Sequence, residues 1–128
     1  MLIRNILEES VRKFDEVKAV KWLNKKEIME RSYGELMENV VSTRKGLLAE
    51  GFEGKHIALI ETSSVEWMES YLGIITGCTT AVPLDAALPC EDLIDLLNRS
   101  DSVALFLSPK LRPCLLYTSD AADEGLGV

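Results

Sequence analysis

From Ser32 to Leu107 the chain alternates helical and strand patterns, and this alternation restricts the fold more than any other feature. Ser32-Tyr33-Gly34-Glu35 has the S-x-x-E form of a capping box: the serine accepts from the amide three residues on, and the glutamate reaches back. A long helix follows, with Leu36, Val40, Thr43 and Leu47 along one stripe and Gly51 placed for a left-handed C-terminal stop. His56–Ile60 is a nearly continuous apolar run, as expected of a strand buried on both faces. Ser63-Ser64-Val65-Glu66 offers a second S-x-x-E cap. The helix behind it carries Trp67, Met68, Tyr71, Leu72, Ile74 and Ile75 and stops at Gly77. Thr79–Val82 reads as a strand ended by Pro83, which lacks a ladder donor. Glu91–Asn98 then reads as a helix, and Val103–Leu107 as a further buried strand ending near Ser108-Pro109. The order αβαβαβ predicts parallel pairing with right-handed crossovers.

The first thirty residues break this rhythm. Leu2–Phe14 has Ile3, Ile6, Leu7, Val11 and Phe14 at helical spacing, with Arg4, Glu8, Glu9, Arg12 and Lys13 elsewhere on the cylinder. Val17–Leu23 alternates as a strand should, Asn24-Lys25-Lys26 reads as a turn, and Glu27–Arg31 as the return strand of a hairpin. The predicted fold class is therefore α/β: a partial open, mostly parallel sheet with flanking helices and an N-terminal β-hairpin. No internal repeat, low-complexity tract or interdomain linker interrupts it.

Composition removes several function classes. With 128 residues there is enough chain for one small domain. A formal charge of −7 argues against a nucleic-acid surface, which needs clustered Lys and Arg. Arg12-Lys13, Lys25-Lys26 and Arg44-Lys45 read as solvated charge. Glu8 and Glu9 interrupt any secretory leader pattern, and no run approaches the roughly 18 apolar residues of a membrane span. Cys78, Cys90 and Cys114 lack C-x-x-C spacing, and His56 is the one histidine, so neither a zinc site nor a disulfide framework is expected. Free thiols without a leader suggest the cytoplasm.

Few residues offer chemistry. There is no G-x-G-x-x-G, no G-x-x-x-x-G-K-[ST] and no G-x-S-x-G. Ser63-Ser64 follows a strand and opens a helix, where amides can hold an anion, although a plain N-cap explains the pair as well. His56 reads as a surface or strand-edge residue. Cys90 is the one reactive-thiol candidate, at a helix N-terminus that can lower a thiol pKa, and otherwise an apolar filler. Asp85, Glu91, Asp92 and Asp95 form an acidic cluster without calcium-loop spacing, suited to the helix dipole. Trp22 and Trp67 could stack on a flat ligand, but their periodic positions suit core or rim packing.

One stretch carries a family signature. Within Tyr71–Asp95, Leu72 or Ile74, Gly77, Val82, Pro83, Leu84 and Asp85 fall in step with L-x-x-G-x-x-x-V-P-[LI]-D. That pattern resembles a segment of the AMP-forming adenylating enzymes: acyl-CoA synthetases, adenylation domains of peptide synthetases, and luciferases. Ser32-Tyr33-Gly34-Glu35-Leu36 is similar to their [ST]-Y-x-E-L element. Gly46-Leu47-Leu48, Gly51 and Gly54 through Ile60 resemble their G-L-x-x-x-G-[LVF]-x-x-G-D-x-V-A-[IL]-L block, with Lys55 in place of Asp and His56 in place of Arg or Lys. Glu66-Trp67 is similar to the N-x-x-E-[WF] element of long-chain fatty acyl-CoA synthetases, with Ser63 at the Asn position. Together these elements cover about Leu2 to Leu111.

The resemblance implies a ligase that uses ATP and Mg²⁺ to turn a carboxylic acid, here a fatty acid, into an acyl-adenylate and then an acyl-CoA. It also implies that the phosphate-binding loop, the nucleotide-binding Asp and the catalytic Lys lie downstream of this chain. No catalytic, cofactor-binding or metal residue is therefore carried over, and the chain alone is expected to be inactive. A peptide-synthetase-type amino-acid adenylation domain, or a non-catalytic α/β binding module, are the alternatives.

The last residues form a separate unit. Cys114–Glu124, CLLYTSDAADE, continues no pattern upstream and resembles a translated transposase adapter from sequencing libraries. The alternative is a native tail in which Ser119 caps a short helix through Asp120 and Asp123. The expected division is residues 1–113 as the N-terminal part of an AMP-binding domain, and residues 114–128 as an adapter-derived tail outside fold reasoning.

Overall fold

The computed structural model describes residues 2–62, 64–113 and 115. Helix α1, Ile3–Phe14, precedes a hairpin of β1, Lys18–Asn24, and β2, Glu27–Ser32. Then come α2 (Tyr33–Ala49), β3 (His56–Ile60), α3 (Val65–Ile75), β4 (Thr80–Pro83), α4 (Cys90–Arg99) and β5 (Ser102–Leu107). The hairpin is antiparallel, and the second sheet has the order β4-β3-β5 with both pairings parallel. The expected αβαβαβ order and the parallel sheet are both present.

Strand β3 occupies the centre because it is apolar on both faces. Ile57 and Leu59 alternate with Ala58 and Ile60, and all four are fully buried. On one face Ile57 and Ala104 pack against Leu47 of α2 and Ile74 of α3. On the other, Ala58, Ile60 and Leu105 pack against Leu93 and Leu97 of α4. Leu115, inside the segment read as foreign, is also buried in this second cluster. The rest of Cys114–Val128 lies outside the described residues.

The helix ends follow local chemistry. At Ser32 the capping box is complete: Oγ accepts from Glu35 N–H at 3.1 Å, and Glu35 Oε1 accepts from Ser32 N–H at 2.8 Å. At the far end of α2 the N–H of Gly51 donates to Leu48 and that of Phe52 donates to Leu47. This paired pattern needs a left-handed residue after the cap, and Gly51 has φ +78°. Phe52 and Leu47 share one apolar cluster, which completes the motif.

One boundary expectation is corrected. The N-cap of α3 is Ser64, whose Oγ accepts from Trp67 N–H at 3.1 Å. The S-x-x-E register at Ser63–Glu66 is thus displaced by one residue, and Ser63 itself lies outside the described residues. Trp67 at the third position has no acceptor to return, so this cap is one-sided. Helix α3 stops where expected, with Thr76 as its C-cap and Gly77 the first residue beyond, although Gly77 is not among the left-handed glycines. Its missing side chain makes room for Arg44: a Cβ there would lie 3.0 Å from Arg44 Cγ.

The box yields a prediction. The bond from Ser32 N–H, then the Ser32 hydroxyl, holds the Glu35 carboxyl below its ordinary range. A carboxylate lowered on folding stabilises above its unfolded pKa, and that contribution disappears as pH falls through the folded value. Ser32→Ala should cost about 1 kcal/mol near neutrality. Its acid-induced loss of stability should be shallower than that of the natural sequence. Urea melts of both chains across the acid range measure this.

Candidate functional site

In open parallel sheets, ligands bind beyond the carboxyl ends of the strands, where the strand order reverses. Here the chain runs from β3 to β4 on one side, then returns across β3 to β5. Helices α2 and α3 cover one face and α4 the other. The reversal therefore lies between the ends of β3 and β5, at Glu61, Thr62 and the Ser64 cap on one side and Ser108 on the other. Ser108 N–H donates to Ile60 O at 3.0 Å and closes the two strand ends together.

Charge and local hydrogen bonds define the groups at this crevice. Burial, then repulsion from Glu66, pushes the Glu61 carboxyl above its ordinary range. Two carboxylates near the first turn of α3 oppose an anion there. The Ser64 hydroxyl is already committed to its cap. At the end of β4, Asp85 Oδ1 accepts from Ala87 N–H at 2.9 Å, an Asx turn that directs the chain toward α4. Among the described residues no group of three or more His, Cys, Asp or Glu side chains is placed to hold a metal ion.

The remaining sequence candidates are scattered. His56 is exposed at the opposite, amino end of β3, with Nδ1 2.7 Å from Ser100 O. Cys90 is disulfide-bonded, which removes it as a reactive thiol and corrects the expectation of free cysteines; Cys78 is free and exposed. Glu91 and Asp92 sit in the first turn of α4, as the helix dipole favours, while Asp95 pairs with Arg99 at 3.1 Å. Trp67 stacks on Tyr71 with ring centroids 5.0 Å apart, and Trp22 lies under Arg31 at 5.4 Å. Both indoles face protein groups. Arg44, read as solvated charge, is instead half-buried and donates Nη2–H to Thr76 Oγ1 at 2.8 Å.

One buried polar cluster was not anticipated. Glu69 of α3 is 6% exposed. Its Oε2 accepts from Asn39 Nδ2 of α2 at 2.7 Å and lies 2.9 Å from Arg31 Nε of β2. The arginine contact is a charge contact, since Nε is not aligned for a hydrogen bond. Burial raises the Glu69 carboxyl, the Asn39 bond and Arg31 lower it, and Glu66 adds to the rise; the net direction is up. Val65, Glu69 and Gly73 recur every four residues along one buried stripe of α3. A glutamate on an otherwise apolar or small stripe was the available signal.

Residues 7–125 match the AMP-binding enzyme family. A CoA ligase of Gibberella moniliformis is 30% identical over 103 residues, which is 73% of this chain and 16% of that protein. Among solved structures, the N-terminal domain of FACL13 from Mycobacterium tuberculosis superposes with a TM-score of 0.81 at 19% identity, covering 91% of this chain and 30% of that one. A fatty acyl-adenylate ligase from L. pneumophila, in complex with acyl adenylate and pyrophosphate, gives 0.74 at 20% identity, covering 87% and 20%. The chain thus spans less than a third of each of these relatives.

Proposed function

The chain belongs to the AMP-binding enzyme family, and on that premise we propose that it forms the N-terminal part of an acyl-activating ligase. The substrate of the parent enzyme is a carboxylic acid, a fatty acid in this reading. ATP, with Mg²⁺, converts the acid to an acyl-adenylate and releases pyrophosphate, and CoA then takes the acyl group. We also read the parent enzyme as cytoplasmic. No helix among the described residues is long and apolar enough to cross a membrane.

The observation that carries this reading is the family match over residues 7–125. The name of the Gibberella relative supports CoA as acceptor, and that of the Legionella neighbour supports a fatty acid. The residues of this chain fit a scaffold role. Phosphate transfer needs concentrated positive charge or oriented amides. The crevice between β3 and β5 has Glu61 and Glu66 instead, and no phosphate-loop motif occurs in the sequence. This chain therefore shapes one wall of the parent's sheet, and no catalytic or cofactor-binding residue is assigned to it. We take residues 1–113 as the native part and 114–128 as the adapter-like tail. A parent gene that encodes CLLYTSDAADE in place would move that boundary.

The test uses the full-length parent enzyme beside the 128-residue chain. Acid-dependent exchange of pyrophosphate into ATP, followed by CoA-dependent AMP release, is expected with fatty acids and the parent. No exchange is expected with the chain alone. Exchange driven by amino acids would point to a peptide-synthetase-type domain. Exchange by the isolated chain would overturn the assignment of its residues as scaffold.

A further inference from the structure

The parallel sheet, in the order β4-β3-β5, has two edges, and only one of them is blunted. β4 is four residues long and finishes on Pro83, which has no N–H to offer. β5 runs for six residues, Ser102–Leu107, with no charged side chain and no proline. Its register against β3 slips once, at Val103, and residues 104–107 then lie regularly opposite residues 57–60. Both faces of β5 are covered, Ala104 packing with α2 and α3 and Leu105 with α4. Among the described residues no strand pairs with its outer side. What remains open is a row of backbone N–H and C=O groups, and such a row recruits another strand unless charge, proline or brevity blunts it. Covered faces and an apolar sequence are the marks of an interior strand of a parallel sheet.

Topology says which strand belongs there. Counted in chain order, the three parallel strands lie second-first-third across the sheet. Doubly wound sheets that open this way place their fourth strand outside the third. Right-handed connections fix its route. α3 carries the chain from β3 to β4 over one face, and α4 brings it back in the opposite direction over the other. A step outward from β5 continues in the direction of α4, so its crossover belongs on the α4 face. The chain already turns that way. Beyond β5, Leu111 and Leu115 pack on the cluster that α4 forms with β3 and β5.

We propose that the free edge of β5 is an internal interface of the parent enzyme, taken by a further parallel strand that follows residue 113 and is delivered over the α4 face. The inference rests on the chain being part of a longer ligase. Its relatives have the length for it: this chain spans 16% of the Gibberella CoA ligase and 30% of the FACL13 N-terminal domain. Such a strand makes β5 an interior strand. It also steadies the end of β5 at Ser108, which forms one wall of the crevice through its bond to Ile60 O.

Hydrogen exchange resolved to single amides, in the full-length parent and in the 128-residue chain, tests this. Successive N–H groups of a strand point to opposite neighbours, so pairing with β3 alone protects every second amide of residues 104–107. In the 128-residue chain the interleaved amides should exchange about tenfold faster, or more, than those facing β3. In the parent they should slow by at least about tenfold, to match the others. Interleaved amides that stay fast in the parent would overturn the proposal, and that measurement alone decides should the shorter chain not fold. Interleaved amides already slow in the 128-residue chain would overturn it too: the edge is then covered from within or, where dilution releases them, by a second copy. Acid-dependent pyrophosphate exchange keeps the two readings apart. An active parent with fast interleaved amides sinks the edge assignment alone, and an inactive parent with slow ones sinks only the ligase reading.

Discussion

Gly73→Ala should destabilise this chain by about 1–3 kcal/mol, although it adds a single methyl group. The added Cβ would sit 2.5 Å from Thr43 Cβ, 2.6 Å from Thr43 Cγ2 and 3.1 Å from Val40 O. On an exposed helix the same change would stabilise, because alanine is the better helix former. Here helices α2 and α3 approach through the missing side chain, so α3 must move off α2. Trimming the opposing residue separates contact from side-chain bulk. Thr43→Ala removes Cγ2 but leaves the 2.5 Å Cβ contact, so it should restore little. Thr43→Gly removes both atoms and should restore part of the loss, after its own helix cost of about 1 kcal/mol. Urea midpoints of the single and double variants give the coupling directly. A Gly73→Ala chain as stable as the natural one would mean that the helices are not in this contact.

The same glycine marks where sequence reading reached its limit. Elements were legible because each announces itself locally. His56–Ile60 is apolar without alternation, Ser32 and Glu35 stand at box spacing, and Gly51 follows an amphipathic stripe. What α3 presents to α2 was not legible, because it depends on a partner helix thirty residues away. Glu69 accepts from Asn39, Gly73 opens toward Thr43, and Gly77 opens toward Arg44. Spacing alone gave a helix stop at Gly77 and a solvated charge at Arg44. Only juxtaposition turns them into one interhelical seam, with Arg44 as its half-buried end rather than a solvated cation. The α3 cap at Ser64 was not legible either, since by spacing Ser63, with Glu66 three residues on, carries the fuller box.

What the sequence marked most clearly near the candidate site was its family signature. The signature of Gly77, Val82, Pro83 and Asp85 contains no cation, and Asp85 is its one ionisable group. The structure gives Gly77, Pro83 and Asp85 each a local role. Gly77 clears space for Arg44, Pro83 closes β4 in register with Leu59, and Asp85 builds an Asx turn. These roles fix where β4 ends and where α4 begins. Placing strand ends is what a binding crevice in a parallel sheet demands of its scaffold. A segment can therefore identify a family of enzymes through residues that set the geometry of the scaffold.

Leu93→Ala should produce a loss of about 2–5 kcal/mol, the largest expected of any single substitution considered. Helix α4 must cross the sheet after β4 to deliver β5 to the far side of β3, and it does so with two buried leucines, Leu93 and Leu97. Its cap provides little help: Pro89 offers no side-chain acceptor, so packing rather than local hydrogen bonding seats the helix. Leu93 is fully buried against a face made of Ala58, Ile60 and Leu105. Alanine 58 is small, so nothing on the strand can swell into the vacated space, and the cavity term should persist. Leu48→Ala is the control. Leu48 is 44% exposed on α2, and its truncation should stay within about 0.5 kcal/mol. The decisive quantity is the slope of the urea transition beside its midpoint. A lower midpoint with unchanged slope means a cavity in an intact fold. A lower slope means α4 has left the sheet in the native state, taking with it the crossover that creates the crevice between β3 and β5.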